Sequence, residues 1–358
     1  MRLLAALSWT AAALLILATV SADTRSRSPF VEVCGMSLCV SGRGFTIHGG
    51  TAYGQYDNPV AEVALAKQAG LNVLEIVEYE TRHHELSDAM SEATWTRVDD
   101  FIAVAKANGL RVILNFSSYG QSLQASGIKP TTADWRPFLS FVTNRVNTKT
   151  GIQYSAEPAI AMYELLGEID APNYDNATRG TTAETTAFFR RTLAQLKALD
   201  PNHLVSSGGM SYINDPDSGI DWQKIMAEVN NDACDVEINS LPDRNISVPS
   251  VSSYCRGIGK PWFLAAWSAC QGPKTGPHDI DHWPAGDPDM ATHALDMYQV
   301  ERNAHPAGPA PAVAAVGSDF WNLAATGTCA LGPAYPQTFA VVERYAAKPA
   351  PPIPAPRK

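Results

Sequence analysis

Short apolar runs alternate along the chain with longer segments whose apolar residues recur every three to four positions. The short runs, such as Arg111 to Phe116 and Ile160 to Leu166, are typical of strands buried on both faces. The longer segments, such as Trp95 to Asn108, have the spacing of amphipathic helices. Strands and helices that alternate with short connections favour a parallel sheet.

This alternation predicts an α/β protein, a single-domain (β/α)8 TIM barrel. Such a barrel uses roughly 250 residues or more, so the 358 residues leave no room for a second folded domain. A short β-hairpin with its turn near Gly35 is predicted ahead of it, over Phe30 to Phe45. The predicted strands are 45–50, 72–77, 111–116, 160–166, 203–207, 235–239, 262–267 and 313–321, and the predicted helices are 61–69, 95–108, 135–146, 182–199, 222–230 and 290–303.

The two ends of the chain differ from this pattern. A positive start, an apolar stretch and the small residues Val20-Ser21-Ala22 predict a cleaved signal peptide and a secreted, extracellular protein without membrane contact afterwards. An uncleaved anchor is the alternative, because about 18 apolar residues nearly span a bilayer. The predicted domains are a signal peptide over 1–22, the barrel over 23–347 and a Pro/Ala-rich tail over 348–358.

Composition narrows the range of partners. The formal charge of −9 gives no electrostatic footprint for nucleic acid or an anionic membrane. An uncharged substrate is compatible with this net negative charge. The 8 Trp, 12 Tyr and 11 Phe residues support a large folded core.

Six cysteines follow the predicted signal peptide, an even number that suits an oxidising compartment. Three disulfides are expected from 15 possible pairings. Zinc is the competing reading, but no Cys-x-x-Cys spacing supports it. The histidines in His83-His84 and His278 to His282 lack a third convergent ligand, so neither a metal nor a cofactor is expected. The predicted pairs are Cys34–Cys39, Cys234–Cys255 and Cys270–Cys329.

The stretch Pro158 to Pro172 carries the main catalytic candidate. The apolar run Ile160 to Leu166 breaks at Gly167, and Glu168 follows at once, with Asp170 behind it. An α/β barrel holds its catalytic groups at the carboxyl ends of its strands, which is the place of Glu168. An ordinary strand-end glutamate that faces water or forms a salt bridge is the alternative.

Five segments carry a family resemblance: Phe30 to Phe45, G-G-T-A-Y (Gly49 to Tyr53), N-R-V-N-T-K-T-G-I-Q-Y (Asn144 to Tyr154), D-P-N-H-L-V (Asp200 to Val205) and G-K-P-W-F-L (Gly259 to Leu264). Together they resemble the secreted β-mannanases of glycoside hydrolase family 5 over most of the chain. The resemblance implies a TIM barrel that acts on β-linked mannan or a related polysaccharide. A monomer is expected.

The resemblance also implies two catalytic carboxylates, which retaining glycosidases hold about 5 to 5.5 Å apart. Glu168 matches the acid/base, but Gly167 and Ile169 stand where the family has Asn and Pro. Ala266 matches the position of the nucleophile, so the second carboxylate is missing there. An alanine cannot attack an anomeric carbon.

Further departures surround this position. Glu75 stands where the resemblance implies an arginine on the second strand, and Thr51 stands where it implies an asparagine. The expected His-x-Tyr pattern is missing from residues 238–242. One alanine alone would suit an engineered knock-out, whereas several departures together indicate a site that diverged naturally.

Three other carboxylates are candidate substitutes: Glu78, Glu237 and Asp319. An inverting pair needs roughly 6.5 to 9.5 Å between its carboxyl groups. A strand carboxylate paired inside the barrel is the alternative for Glu75 and Glu237, because a buried unpaired charge is costly.

Aromatic residues are the remaining candidates for substrate binding. Trp321 matches the sugar-stacking Trp of the eighth strand, and Tyr53, Tyr119 and Trp267 are expected to line the same mouth. Core packing is the alternative, above all for Trp267. The sequence predicts a glycoside hydrolase of endo-β-1,4-mannosidase lineage, with a non-catalytic glycan-binding pseudoenzyme or cell-wall protein as the alternative. The sequence does not decide whether the protein is catalytically active.

Overall fold

A computed structural model describes most of the chain. The predicted signal peptide, the predicted tail, Cys270, Cys329 and the segment from His278 to His282 lie outside the described residues. For residues 241–246 the backbone alone is described. The described ranges are 28–53, 56–82, 84–170, 179–213, 218–238, 241–268, 286–302, 313–326 and 330–346.

A small antiparallel sheet precedes the barrel. It consists of β1 (Val31–Cys34), β2 (Ser37–Val40) and β3 (Arg43–Phe45), so the predicted hairpin is present and is extended by a third strand. The predicted Cys34–Cys39 disulfide joins β1 to β2. Val31 and Leu38 pack with apolar residues that fill the start of the barrel, so this sheet closes its amino-terminal end.

Eight parallel strands form the barrel, as predicted. Neighbouring strands follow chain order, and the last of them pairs back with the first. Between the fifth and sixth strands the contact runs through a parallel bridge from Met210 to Val236. The strands are β4 (Ile47–Thr51), β5 (Val73–Ile76), β6 (Arg111–Asn115), β7 (Ile160–Glu164), β8 (Leu204–Ser206), β9 (Cys234–Ile238), β10 (Trp262–Trp267) and β11 (Gly317–Phe320).

The helices surround this barrel, and several of them begin at side-chain caps. Ser91 accepts a hydrogen bond from the backbone of its helix, and Thr181 forms a capping box with Glu184, which stabilises a helix start. The helices are α1 (Pro59–Gln68), α2 (Glu92–Ala107), α3 (Ser117–Ala125), α4 (Arg136–Asn144), α5 (Thr182–Leu199), α6 (Trp222–Ala227), α7 (Leu241–Gly257), α8 (Asp287–Glu301) and α9 (Pro336–Ala346).

Three of these helices were not predicted: α3, α7 and α9. The α3 segment is rich in serine and glutamine, and α7 contains Pro249, so neither shows a clear apolar stripe. The predicted Cys234–Cys255 disulfide ties α7 to β9. In the parts of the chain that the structure describes, no helix is long and apolar enough to cross a membrane.

Two apolar layers hold the barrel together. Inside it, Val73, Ile113, Met162 and Phe263 fill the half nearest the N-terminal sheet. Outside it, a larger cluster that includes Trp95 packs the helices against the strands. The other half of the interior holds polar and acidic side chains, and it opens at the carboxyl ends of the strands. That opening is called the mouth below.

Candidate active site

Glu168 lies just beyond β7, at the mouth. Its backbone has a φ of +52°, a left-handed conformation that non-glycine residues adopt only where the surroundings impose it. Its N–H donates a hydrogen bond of 2.7 Å to the Gly209 carbonyl, and the Gly167 N–H donates one of 2.8 Å to Ser117 Oγ. These bonds fix the turn that carries the Glu168 side chain.

Glu168 forms a pair with Glu237 of β9. The two carboxyl groups are hydrogen-bonded to each other. The Ser211 hydroxyl lies 3.2 Å from Glu168 Oε1 and 3.0 Å from Glu237 Oε2, so it holds both groups. A Cβ on Gly209 would approach Glu237 Oε1 to 2.6 Å, so only glycine leaves room for this carboxyl.

Glu237 is the member of this pair that favours its protonated form. Desolvation, followed by the charge of Glu168, raises the pKa of Glu237 well above its usual range. Two carboxylates in contact cannot both ionise at moderate pH unless a cation joins them. Ala266 is the residue of β10 that pairs with Glu237 in the sheet, and it contributes no second carboxylate.

Asp170 anchors the loop that carries Ser211. It accepts hydrogen bonds from the backbone N–H groups of Ser211, at 3.2 Å, and Tyr212, at 2.6 Å. Burial raises the pKa of Asp170 to about 6, although these backbone bonds act in the opposite direction. Asp170 therefore positions Ser211 beside the pair.

A second carboxyl pair, Glu75 and Glu164, lies deeper in the barrel. Glu75 accepts hydrogen bonds from Thr51 Oγ1, at 2.5 Å, and from Asn115 Nδ2, at 2.7 Å. The same Asn115 amide lies 3.0 Å from Glu164 Oε2. Burial, followed by the charge of Glu75, raises the pKa of Glu164 well above its usual range. Glu75 is thus part of an acidic layer at the place where the family resemblance implies an arginine.

Asp319 of β11 completes this layer. Its side chain is fully buried, and neither carboxyl oxygen has a hydrogen-bond partner among the described residues. It lies over Gly49, where a Cβ would overlap its carboxyl group. Burial, with the charge of Glu75 added to it, raises the pKa of Asp319 well above its usual range.

Tyr53 and Trp321 form one wall of the mouth. Their rings meet edge to face, with centroids 5.5 Å apart. The Tyr53 hydroxyl is hydrogen-bonded to Glu78, and its pKa is raised by desolvation and then by the nearby charges of Glu78 and Glu168. Tyr53 therefore stands between two carboxyl groups, and Trp321 and Glu78 keep part of their surface exposed.

Tyr119 and Trp267 do not line the mouth, contrary to the expectation from the sequence. Tyr119 is buried and stacks on Phe138, with ring centroids 4.1 Å apart. Trp267 is fully buried and packs edge to face against Tyr298 at 5.2 Å. Both rings belong to the large apolar cluster that packs the helices against the strands.

The structure also brings in residues that sequence reasoning did not single out. Ser211 and Glu164 are the main ones, and both follow from strand geometry that spacing alone does not reveal. A signal for the first was the Gly208-Gly209 pair after β8, because consecutive glycines mark a close approach of backbones. Among the described residues, no group of three or more His, Cys, Asp or Glu side chains is arranged to hold a metal ion.

Comparison with known families identifies the barrel. Residues 30–238, more than half of the chain, match the family described as cellulase (glycosyl hydrolase family 5). The chain belongs to glycosyl hydrolase family 5. The matched region contains β4 to β9 and therefore both Glu168 and Glu237.

Several plant mannosidases resemble this chain. Mannan endo-1,4-beta-mannosidase 8 of Oryza sativa subsp. japonica is 27% identical over 212 residues, which are 50% of this chain and 56% of the relative. Mannan endo-1,4-beta-mannosidase 7 of the same organism is 26% identical over 209 residues, 50% of this chain and 54% of the relative. The chain thus spans about half the length of the curated relatives it matches.

Solved structures share this fold over a larger part of the chain. The endo-1,4-beta-mannanase from Rhizomucor miehei superposes with a TM-score of 0.66 and 17% identity, covering 89% of this chain and all of that one. The endo-beta-1,4-mannanase from Thermotoga petrophila superposes with a TM-score of 0.61 and 19% identity, covering 85% and 77%. At this level of identity, the similarity shows the fold.

Proposed function

We propose that this protein binds β-linked mannan or a related polysaccharide across the mouth and hydrolyses it, with Glu168 as the general acid. Membership of glycosyl hydrolase family 5 and the similarity to mannosidases support the substrate class. The aromatic wall of Tyr53 and Trp321 suits the apolar face of a sugar ring. Secretion remains part of the proposal, and the two disulfides are consistent with it.

The observation that carries the proposal is the contact between Glu168 and Glu237. Burial and the charge of Glu168 raise the pKa of Glu237, so Glu237 offers a proton beside Glu168, and a general acid needs a proton to give to the leaving oxygen. The Ser211 hydroxyl contacts both carboxyl groups, so it holds Glu168 beside the proton of Glu237, which Glu168 passes on to the leaving oxygen. The same contact makes Glu237 too close to act as a nucleophile or base on the other side of a sugar ring.

Glu78 is the carboxylate best placed to act as the base. It keeps part of its surface exposed, whereas Asp319 is fully buried. The Tyr53 hydroxyl is hydrogen-bonded to Glu78 and also feels the charge of Glu168, so both carboxyl groups lie near this ring. In this mechanism Glu168 protonates the glycosidic oxygen as its bond to the anomeric carbon breaks. Water attacks that carbon from the other face and gives its proton to Glu78, which inverts the configuration.

Release of reducing ends from mannans and mannooligosaccharides tests this proposal. The native protein should release them, and Glu168→Gln should lower the rate by about 100-fold or more. The products should first appear as the α-anomer in an NMR time course, because a single displacement at a β-linkage inverts it. Release that is unchanged in Glu168→Gln would rule out Glu168 as the acid.

A second candidate is a protein that binds glycan without cutting it. The observation in its favour is Ala266, since β10 offers no carboxylate at the position where the family resemblance implies the nucleophile. This reading predicts that no substrate releases reducing ends, while mannohexaose still binds. It also predicts that Trp321→Ala weakens binding by about tenfold and that Trp321→Phe keeps most of it.

A further inference from the structure

We propose that Ser117 and Ser118, at the start of α3, are positioning residues that hold the two carboxylates of the reaction in place. Ser117 acts on the turn that carries Glu168, the general acid, and Ser118 acts on the turn that carries Glu78, the base. This inference rests on the proposed function, because it names the residues that position its acid and its base. Each serine acts through another residue and takes no part in bond breaking.

The order of strands in the sheet places these serines between the two turns. The strand β6 pairs with β5 on one side and with β7 on the other. The helix α3 begins two residues after β6, and Glu78 and Glu168 follow β5 and β7. Successive side chains of a helix point about 100° apart. Two adjacent serines at this place can therefore face the two neighbouring turns.

Each turn is hydrogen-bonded to one of the serines. The Glu78 N–H donates a hydrogen bond of 2.7 Å to Ser118 Oγ. The Gly167 N–H, directly before Glu168, donates one of 2.8 Å to Ser117 Oγ. Both serines are buried, with 8% of Ser117 and 1% of Ser118 exposed. An N–H group that loses its acceptor in such surroundings is costly, so each turn would move to find another partner.

Both carboxylates lie on a backbone that needs this support. The φ angle is +53° at Glu78 and +52° at Glu168. Residues other than glycine rarely adopt this left-handed conformation, and they keep it only where surrounding contacts impose it. The two serines supply one such contact to each turn, and they do so from a single helix start.

The serines are themselves fixed by buried side chains. The Ser117 N–H donates a hydrogen bond of 2.8 Å to Asn115 Oδ1, and the Asn115 amide is held by Glu75 at 2.7 Å. The Ser118 hydroxyl is hydrogen-bonded to the Glu80 carboxyl, and a hydroxyl can accept from an N–H while it donates. Supporting groups that are locked in this way can hold a catalytic side chain in a productive position.

Two β-mannotriosides that differ only in their aglycone separate the roles of the two serines. Dinitrophenolate leaves without protonation, whereas methanol needs the proton of a general acid. Ser117→Ala should therefore lower kcat for the methyl glycoside by about tenfold and leave kcat for the dinitrophenyl glycoside within about twofold. Ser118→Ala should lower kcat for both by about tenfold, because the attacking water needs the base in either case. KM should change by less than about twofold.

Ser122→Ala is the matched control. Ser122 is fully buried in the same helix, and its hydroxyl has no hydrogen-bond partner in the part of the chain that the structure describes. The control removes the same atom without releasing a turn, so kcat for both glycosides should stay within about twofold of the native value. The inference is overturned if Ser117→Ala slows both glycosides equally. It is also overturned if Ser117→Ala or Ser118→Ala behaves like the control.

Crystal structures of the two variants test the inference without catalysis. In Ser117→Ala, Glu168 should leave its left-handed conformation and its carboxyl group should move away from Ser211. In Ser118→Ala, the same should happen to the backbone of Glu78. Turns that keep their native conformation in both variants would contradict the inference, and if the native protein still cleaves, only the inference fails. If the turns relax but the native protein releases neither aglycone, the proposed function fails and the positioning role stands.

Discussion

Gly209 decides where the Glu237 carboxyl group lies. A Cβ at this position would come within 2.6 Å of Glu237 Oε1, so Gly209→Ala should displace the carboxyl and break its contact with Glu168. We expect a loss of about 1 to 3 kcal/mol in the free energy of unfolding, the usual cost of overpacking. Urea denaturation measures it.

Gly44→Ala is the matched control for Gly209→Ala. Gly44 lies in β3 and has no atom within 4 Å of an added Cβ. The free energy of unfolding of Gly44→Ala should stay within about 0.5 kcal/mol of the native value. Equal losses in the two variants would show that the loss in Gly209→Ala does not come from overlap with the Glu237 carboxyl group.

Asn115 separates the charges of the deeper carboxyl pair. Its amide contacts Glu75 Oε1 and Glu164 Oε2, so Asn115→Asp would replace a shared donor by a third carboxyl group. We expect a loss of about 3 to 5 kcal/mol at neutral pH, as for an uncompensated buried charge. The loss should shrink at acidic pH, where the new carboxyl group is protonated. A loss that is independent of pH would contradict this account of the layer.

At the scale of single residues, the sequence predicted which residues belong to the site better than it predicted which residues contact one another. Glu168 was recognised because it ends a buried strand, and Ala266 because it follows a matching segment. The contact between Glu168 and Glu237 depends on the bulge in β10, the glycines after β8 and the position of Ser211. None of these leaves a periodic signal along the chain.

The disulfide between Cys234 and Cys255 joins a strand to the helix that follows it. It closes a loop with a sequence separation of 21 residues, so its removal should lower the free energy of unfolding by about 3 kcal/mol. The Cys34–Cys39 disulfide closes a loop with a sequence separation of only 5, so its removal should lower the free energy of unfolding by less. Paired Cys→Ser variants in urea measure both. A larger loss for the short loop would contradict this ranking.

At the scale of elements, strands were predicted more reliably than helices. All eight barrel strands were found, mainly because several of them, such as β7, are short apolar runs, which a parallel sheet buried on both faces requires. Helices such as α3 pack through small and polar side chains against one end of the barrel, so their apolar stripe is weak. Their positions depend on tertiary contacts that local sequence does not encode.

For the whole molecule, the buried carboxyl groups make stability depend on pH. Burial raises the pKa of Glu62, Glu80 and Glu301 to about 7. A carboxyl group whose pKa is raised in the folded state adds stability below its unfolded pKa, and this contribution is lost as the pH rises through the folded pKa. The window of loss therefore runs from about pH 4 to pH 7.

Unfolding in urea at two pH values measures this dependence. The free energy of unfolding should be higher at about pH 5 than at about pH 8, by an amount on the order of 3 kcal/mol. Glu301→Gln should reduce the difference, because Glu301 is buried and Ser318 Oγ donates to it at 2.5 Å. Asp88 has the opposite effect, because its pKa is lowered to about 2. Its contribution to the free energy of unfolding is lost as the pH falls toward that value. A protein that is more stable at pH 8 would contradict this account.

The central claim is that a β-linked glycan lies across the mouth between Trp321 and Glu168. A crystal structure of Glu168→Gln with mannohexaose tests it most directly. We expect one sugar ring stacked on Trp321 and a glycosidic oxygen within hydrogen-bonding distance of residue 168. A hexasaccharide bound elsewhere on the molecule, or an empty mouth at saturating ligand, would contradict the claim.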